Sequence, residues 1–239
     1  MKIDLKGTVA IVGNYGSGKT EIAVNLALAR KNDGLKVKLA DLDLVNPYFR
    51  TREARKTLTE MGIDVILPDD QYMDADLPIL TPKIYGMLQD PSELNILDAG
   101  GDDVGTTVLA ALNRLINTAT IQVLQVVNPH RPQSDSIEGC LKLKQEIENV
   151  SKLKVTGIIG NANLIEETTP AHVYNGYEFV RAYAQKSKLD LKFITVPSHL
   201  ISTIDCHQFI CPVLPLMRQM VPPWKKSVKL GPAALVANM

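Results

Sequence analysis

Apolar runs bounded by turn residues recur at 8–12, 37–43, 64–67, 94–99, 120–128, 155–161 and 191–196. Helical patterns fill the intervals, at 19–32, 47–61, 106–116, 134–150, 170–186 and 212–220. Several of the runs are near-continuous Val, Ile and Leu rather than alternating, which suits strands covered on both faces. In the first helical segment Ile22, Ala23, Val24, Leu26, Ala27 and Leu28 leave little polar face, as expected of a helix pressed against a sheet. Such alternation predicts right-handed βαβ units, hence a three-layer α/β fold with a mostly parallel central sheet flanked by helices. No repeat or low-complexity linker interrupts the rhythm, so one domain spanning 1–239 is expected, with the stretch after Pro222-Pro223 unassigned.

The turn between the first apolar run and the first helix carries the sharpest chemistry. Gly13-Asn14-Tyr15-Gly16-Ser17-Gly18-Lys19-Thr20 fits the P-loop pattern G-x-x-x-x-G-K-[ST] in full. Glycines let backbone N–H groups turn inward around phosphate oxygens, and the following helix offers its positive end to the anion. Lys19 reaches the terminal phosphates in this arrangement, and the Thr20 hydroxyl binds Mg²⁺. The strand–loop–helix context weighs against a glycine-rich turn that binds nothing.

Ligands of such sheets bind at the carboxyl ends of the strands, where two acidic segments fall. The second run ends in Asp41-Leu42-Asp43, close before Pro47. A carboxylate there can orient an attacking water or a water on Mg²⁺, and helix capping is its ordinary alternative duty. The run Leu94-Asn95-Ile96-Leu97-Asp98 ends in an acid and passes into Ala99-Gly100-Gly101. Asp98 is the candidate Mg²⁺ carboxylate, and Gly101 would let a backbone N–H approach the γ-phosphate.

Taken together, these segments resemble the MinD/ParA and CobQ/CbiA branch of the SIMIBI-class P-loop ATPases. The resemblance covers roughly the first two-thirds of the chain by motif order. It implies an ATP- and Mg²⁺-dependent enzyme in which Asp43, or Asp41 as second choice, positions the hydrolytic water and Asp98 helps hold Mg²⁺. It also implies a base contact from Asn161, with Asn163 as second choice, and from the backbone at Pro197. One departure stands out. Many members carry an extra lysine directly after the first P-loop glycine, which reaches the nucleotide of a partner subunit. Here that position is Asn14, which brings no cation, and Tyr15 replaces the next usual glycine. A nucleotide-dependent homodimer is then plausible rather than implied, with Arg50 or Arg52 as alternative sources of charge in trans.

GTPases commonly read guanine through an N-K-x-D motif after a late strand; the corresponding stretch here is Gly160-Asn161-Ala162-Asn163, which favours ATP. Weaker candidates remain. The loop 68–76 is acidic but lacks the Gly and Glu of an EF-hand. His130 and Arg131 follow a strand and could face a substrate or partner, against ordinary turn duty. Cys206, His207 and Cys211 invite a metal reading, although their spacing matches no recognised zinc pattern. The segment 224–230 mixes basic and apolar residues, but Pro222, Pro223, Gly231 and Pro232 leave barely two helical turns, so stable membrane anchoring is not expected.

Composition narrows the picture further. The chain has 239 residues with 26 basic and 26 acidic side chains, a balance that argues against nucleic acid as the main partner. The three cysteines form no even disulfide framework, the N-terminus has no long apolar stretch of the signal-peptide kind, and a cytoplasmic setting is expected. Three functions fit: an ATPase switch acting on an unidentified protein partner, as in metal-insertion and cofactor-maturation ATPases; a small-molecule biosynthetic enzyme of the dethiobiotin synthetase or CbiA kind; or a nucleotide-responsive scaffold with negligible turnover. No second domain follows to supply a glutaminase, which disfavours a full amidotransferase.

Overall fold

The computed structural model describes residues 1–42, 51–67, 82–100, 103–113 and 121–219. Among them, eight strands form a single sheet in the order β3-β2-β4-β1-β5-β6-β7-β8. The strands are β1 (Gly7–Gly13), β2 (Val37–Leu42), β3 (Asp64–Ile66), β4 (Leu94–Ala99), β5 (Ile121–Val127), β6 (Gly157–Gly160), β7 (Asp190–Pro197) and β8 (Val213–Leu216). Every neighbouring pair is parallel. The helices are α1 (Lys19–Asn32), α2 (Thr51–Glu60), α3 (Pro82–Gln89), α4 (Asp103–Asn113), α5 (Ile137–Ser151) and α6 (Pro170–Ser187). The expected α/β architecture with a parallel sheet is the observed one.

Alternation along each strand sorts the core into two faces. In β1, Val9 and Ile11 pack with Ile22, Leu26 and Leu58 of α1 and α2, whereas Ala10 and Val12 pack with Val108, Leu109 and Leu112 of α4. All of these side chains are buried, and each large aliphatic contributes about 1.5–3 kcal/mol by leaving water. A third cluster forms where α6 covers β6 and β7, with Tyr177, Val180, Tyr183 and Phe209. Tyr183 is fully buried because its hydroxyl has a partner: it donates to Gln125 Oε1 at 2.7 Å.

The helix starts follow local rules. Ser136 caps α5 by accepting from Gly139 N, and Thr169 and His172 form a reciprocal box at the start of α6, with Pro170 opening the helix. The last helical pattern does not hold: 212–220 is expected as a helix, but Val213–Leu216 is a strand parallel to β7. Its burial alternates, with Leu214 and Leu216 turned into the α1 face, and Pro215 is tolerated because β8 is an edge strand. Helix α3 was not signalled by the apolar periodicity; it buries only Ile84 and Met87. Beyond β8 the chain is stitched to α1. Asn25 donates to Met217 O at 2.9 Å and accepts from Met217 N at 3.0 Å, and Glu21 accepts from Gln219 N.

Candidate functional site

Neighbouring β1 and β4 send the chain to opposite sides, β1 to β2 and β4 to β5, and such a reversal is where ligands of open α/β sheets bind, beyond the carboxyl ends of the strands. The P-loop occupies this position. Gly13 has φ 145°, and a Cβ there would stand 2.7 Å from Val126 O of β5. Gly18 has φ 95°, and a Cβ would meet Asn161 Nδ2 at 2.3 Å. Only glycine satisfies both the left-handed backbone and the close approach. Gly18 is also the N-cap of α1 and offers no side-chain bond to the first turn, and a helix N-terminus of this kind favours an anion. Lys19 is buried and donates to Asn14 O at 2.9 Å, closing the loop across its mouth. Ser17 is buried, Thr20 is half-buried at the start of α1, and Tyr15 is exposed.

The two described acids come together. Asp41 in β2 and Asp98 in β4 are register partners, and Asp98 is also in register with Ile11 of β1. Both carboxylates are fully buried. Alternation puts them on the face of Leu39, Ile96 and Ile11, the face that α1 covers and whose upper edge carries Lys19 and Thr20. A hydroxyl and carboxylates are hard oxygen donors that fit Mg²⁺, which typically takes one or two carboxylates and completes its shell with phosphates and water. Thr20 and Asp98 are the residues that would hold it. Asp43, Gly101, Arg50 and the side chain of Arg52 lie outside the described residues, as do the acidic loop 68–76 and the segment 224–230.

On the other side of β1 the strand ends carry donors. Asn161 follows β6 and is buried; its amide donates to Ser17 O at 2.7 Å and accepts from Thr195 Oγ1 of β7 at 2.5 Å. It therefore braces the P-loop. Asn163 is engaged in its own turn, accepting from Ile165 N at 2.6 Å. Pro197 ends β7 next to Thr195.

The loop after β5 also packs on the P-loop, a contact that the sequence gives no sign of. Asn14 donates to Pro132 O, and the Arg131 side chain lies over Gly16. His130 meets His172 edge-on at 5.1 Å between centroids. Burial, then the charges of His172 and Arg131, hold the His130 imidazole below its ordinary pKa. The Cys206-to-Cys211 segment does not converge on a metal site. Cys211 is buried, Cys206 half-buried and His207 exposed, and among the described residues no group of three His, Cys, Asp or Glu side chains is placed to hold an ion. Also among the described residues, no helix is long and apolar enough to cross a membrane.

Sheet order, P-loop position and flanking helices define an α/β P-loop NTPase-like fold. No protein-family model matches the chain, and no curated protein matches it either. Solved structures share the fold. FtsY from Thermotoga maritima superposes with a TM-score of 0.58 at 19% identity, over 82% of this chain and 63% of that one. FtsY from Mycoplasma mycoides gives 0.56 at 18% identity, over 82% and 62%. The signal recognition particle 54 kDa protein from Aeropyrum pernix K1, solved in complex with GDP, gives 0.55 at 18% identity over 80% and 42%. This chain thus spans less than two-thirds of the length of each of these proteins.

Proposed function

We propose that this protein is a Mg²⁺-dependent ATP-binding protein that hydrolyses ATP and uses the cycle as a switch on a protein partner. The observation that carries the reading is the P-loop itself: a complete motif after β1, with Lys19 folded across its mouth and a buried acid pair on the α1 face beside it. In this reading the loop N–H groups and Lys19 bind the polyphosphate, and Thr20 and Asp98 hold Mg²⁺. The ion would neutralise charge on the phosphates. Asp41, buried within β2, supports Asp98, while Asp43 two residues further on orients the attacking water. Gly101 brings a backbone N–H to the γ-phosphate.

One feature favours adenine, while the Pro197 carbonyl would accept equally from adenine N6 or guanine N2 and does not choose between them. Three residues after Asn161, where N-K-x-D ends in a carboxylate, stands Leu164. The GDP in the archaeal structural neighbour makes the choice of base worth testing directly.

The test is Mg²⁺-dependent phosphate release from ATP and from GTP, by wild type, Lys19→Ala and Asp43→Ala. Slow ATP turnover is expected, lowered about 100-fold or more by either substitution, and stimulated by the partner. Equal turnover of all three proteins, or turnover of GTP alone, overturns the reading.

A further inference from the structure

We infer that Arg131 binds the nucleotide polyphosphate from within the same chain, so that a phosphate site lacking the extra P-loop lysine is completed in cis. The inference rests on the P-loop being a nucleotide site.

The geometry starts at Gly16, φ 69°, in the exposed arch of the loop. From the Cβ position of Gly16, Arg131 Nε is 3.6 Å away, Cζ 3.8 Å and Cδ 3.9 Å. The guanidinium therefore lies directly against the backbone of the anion-binding loop. Arg131 is half-buried, and its Nε is enclosed yet makes no hydrogen bond. Among the described residues no acceptor or carboxylate pairs with this side chain. A planar cation with five donors, held at the rim of a loop built for an anion, matches phosphate oxygens and little else in its surroundings.

Its position is fixed by a network in the loop after β5. Asn128 Nδ2 donates to Asn163 O at 2.9 Å, and Asn128 Oδ1 accepts from His130 N at 3.0 Å. Ser134 Oγ donates to Asn128 O at 2.7 Å, and Arg131 N bonds the same carbonyl at 3.1 Å. Asn14 closes the arrangement by donating to Pro132 O. The residue at the missing lysine's position thus faces its own chain and clamps the arginine-bearing loop onto the P-loop.

The experiment measures the dissociation constants of fluorescent ATP and ADP analogues for wild type, Lys19→Ala, Arg131→Lys and Arg131→Gln, with a melting curve for each. The expected result is roughly 10- to 100-fold weaker binding by Arg131→Gln, partial rescue by Arg131→Lys, and melting temperatures close to wild type. A role in packing alone would make Gln and Lys equivalent, and that outcome overturns the inference. So does wild-type affinity in Arg131→Gln while Lys19→Ala has lost binding. Failure of the wild type itself to bind either analogue overturns the P-loop reading instead, and so separates the two.

Discussion

The P-loop divides the carboxyl edge of the sheet into two halves of opposite chemistry. On the β4–β2 side the strands end in acids, Asp98 and Asp41, side by side and fully buried. On the β5–β6–β7 side they end in amides, a hydroxyl, a proline and a guanidinium: Asn128 and Arg131, Asn161, then Thr195 and Pro197. The difference teaches a division of labour. In the proposed function the nitrogen donors of Asn161 and Arg131 would face what is already negative in the ligand, its phosphates, and the acids would manage what must be brought to it, a divalent cation and a water. The P-loop stands between the two groups because β1 is the neighbour of both β4 and β5.

That division can be broken at either half. The largest expected effect is on the acid side. Asp98→Asn keeps the shape of the side chain but removes its charge, and Mg²⁺-dependent turnover should fall about 100- to 1000-fold. Nucleotide binding measured in EDTA should be nearly unchanged; an equal loss there would mean that the acids also bind the ligand. On the donor side, Asn161→Ala leaves Ser17 O without its buried donor and should cost about 1–3 kcal/mol in urea unfolding. It should also weaken nucleotide binding with or without Mg²⁺. A stability loss with intact affinity would reduce Asn161 to scaffolding.

The smallest expected effect concerns thiol reactivity beneath the donor half. Burial, and after it the Asp135 charge, pushes the Cys140 thiol up to about 12, and burial pushes Cys211 up to about 11. A raised thiol pKa leaves little thiolate at pH 8, so both should resist alkylation. Half-buried Cys206, raised by burial and then by Asp205, should be labelled first. Peptide mapping after iodoacetamide reads the order. Rapid labelling of Cys140 in the native protein would mean that the donor half opens to solvent.

Much of this was legible from local pattern. Helix α1 and strand β4 have the bounds that their apolar runs predict, because the burial of those elements is written in runs dominated by Val, Ile, Leu and Ala. The P-loop was legible for the same reason: its glycines, lysine and threonine are contiguous. What escaped were pairings between distant positions. Nothing near Asn161 shows that its amide meets Ser17, 144 residues away, and nothing near Asn14 points to Pro132, 118 residues away. Strand β8 reads locally as a helix, with Pro212 placed as a helix opening and Leu214 and Met217 three apart. Pairing with β7 and burial of Leu214 and Leu216 against the α1 face outweighed that local preference.

The stitches between α1 and the chain beyond β8 set an order on assembly. Asn25 meets Met217 across 192 residues, and Glu21, one residue past Thr20, meets Gln219 across 198. During synthesis the P-loop helix is made well before these polar partners, which arrive only when the chain has passed residue 219. Contacts of such long sequence separation close late and slowly. The first turn of α1 therefore reaches its finished surroundings only after nearly the whole sheet has been laid down.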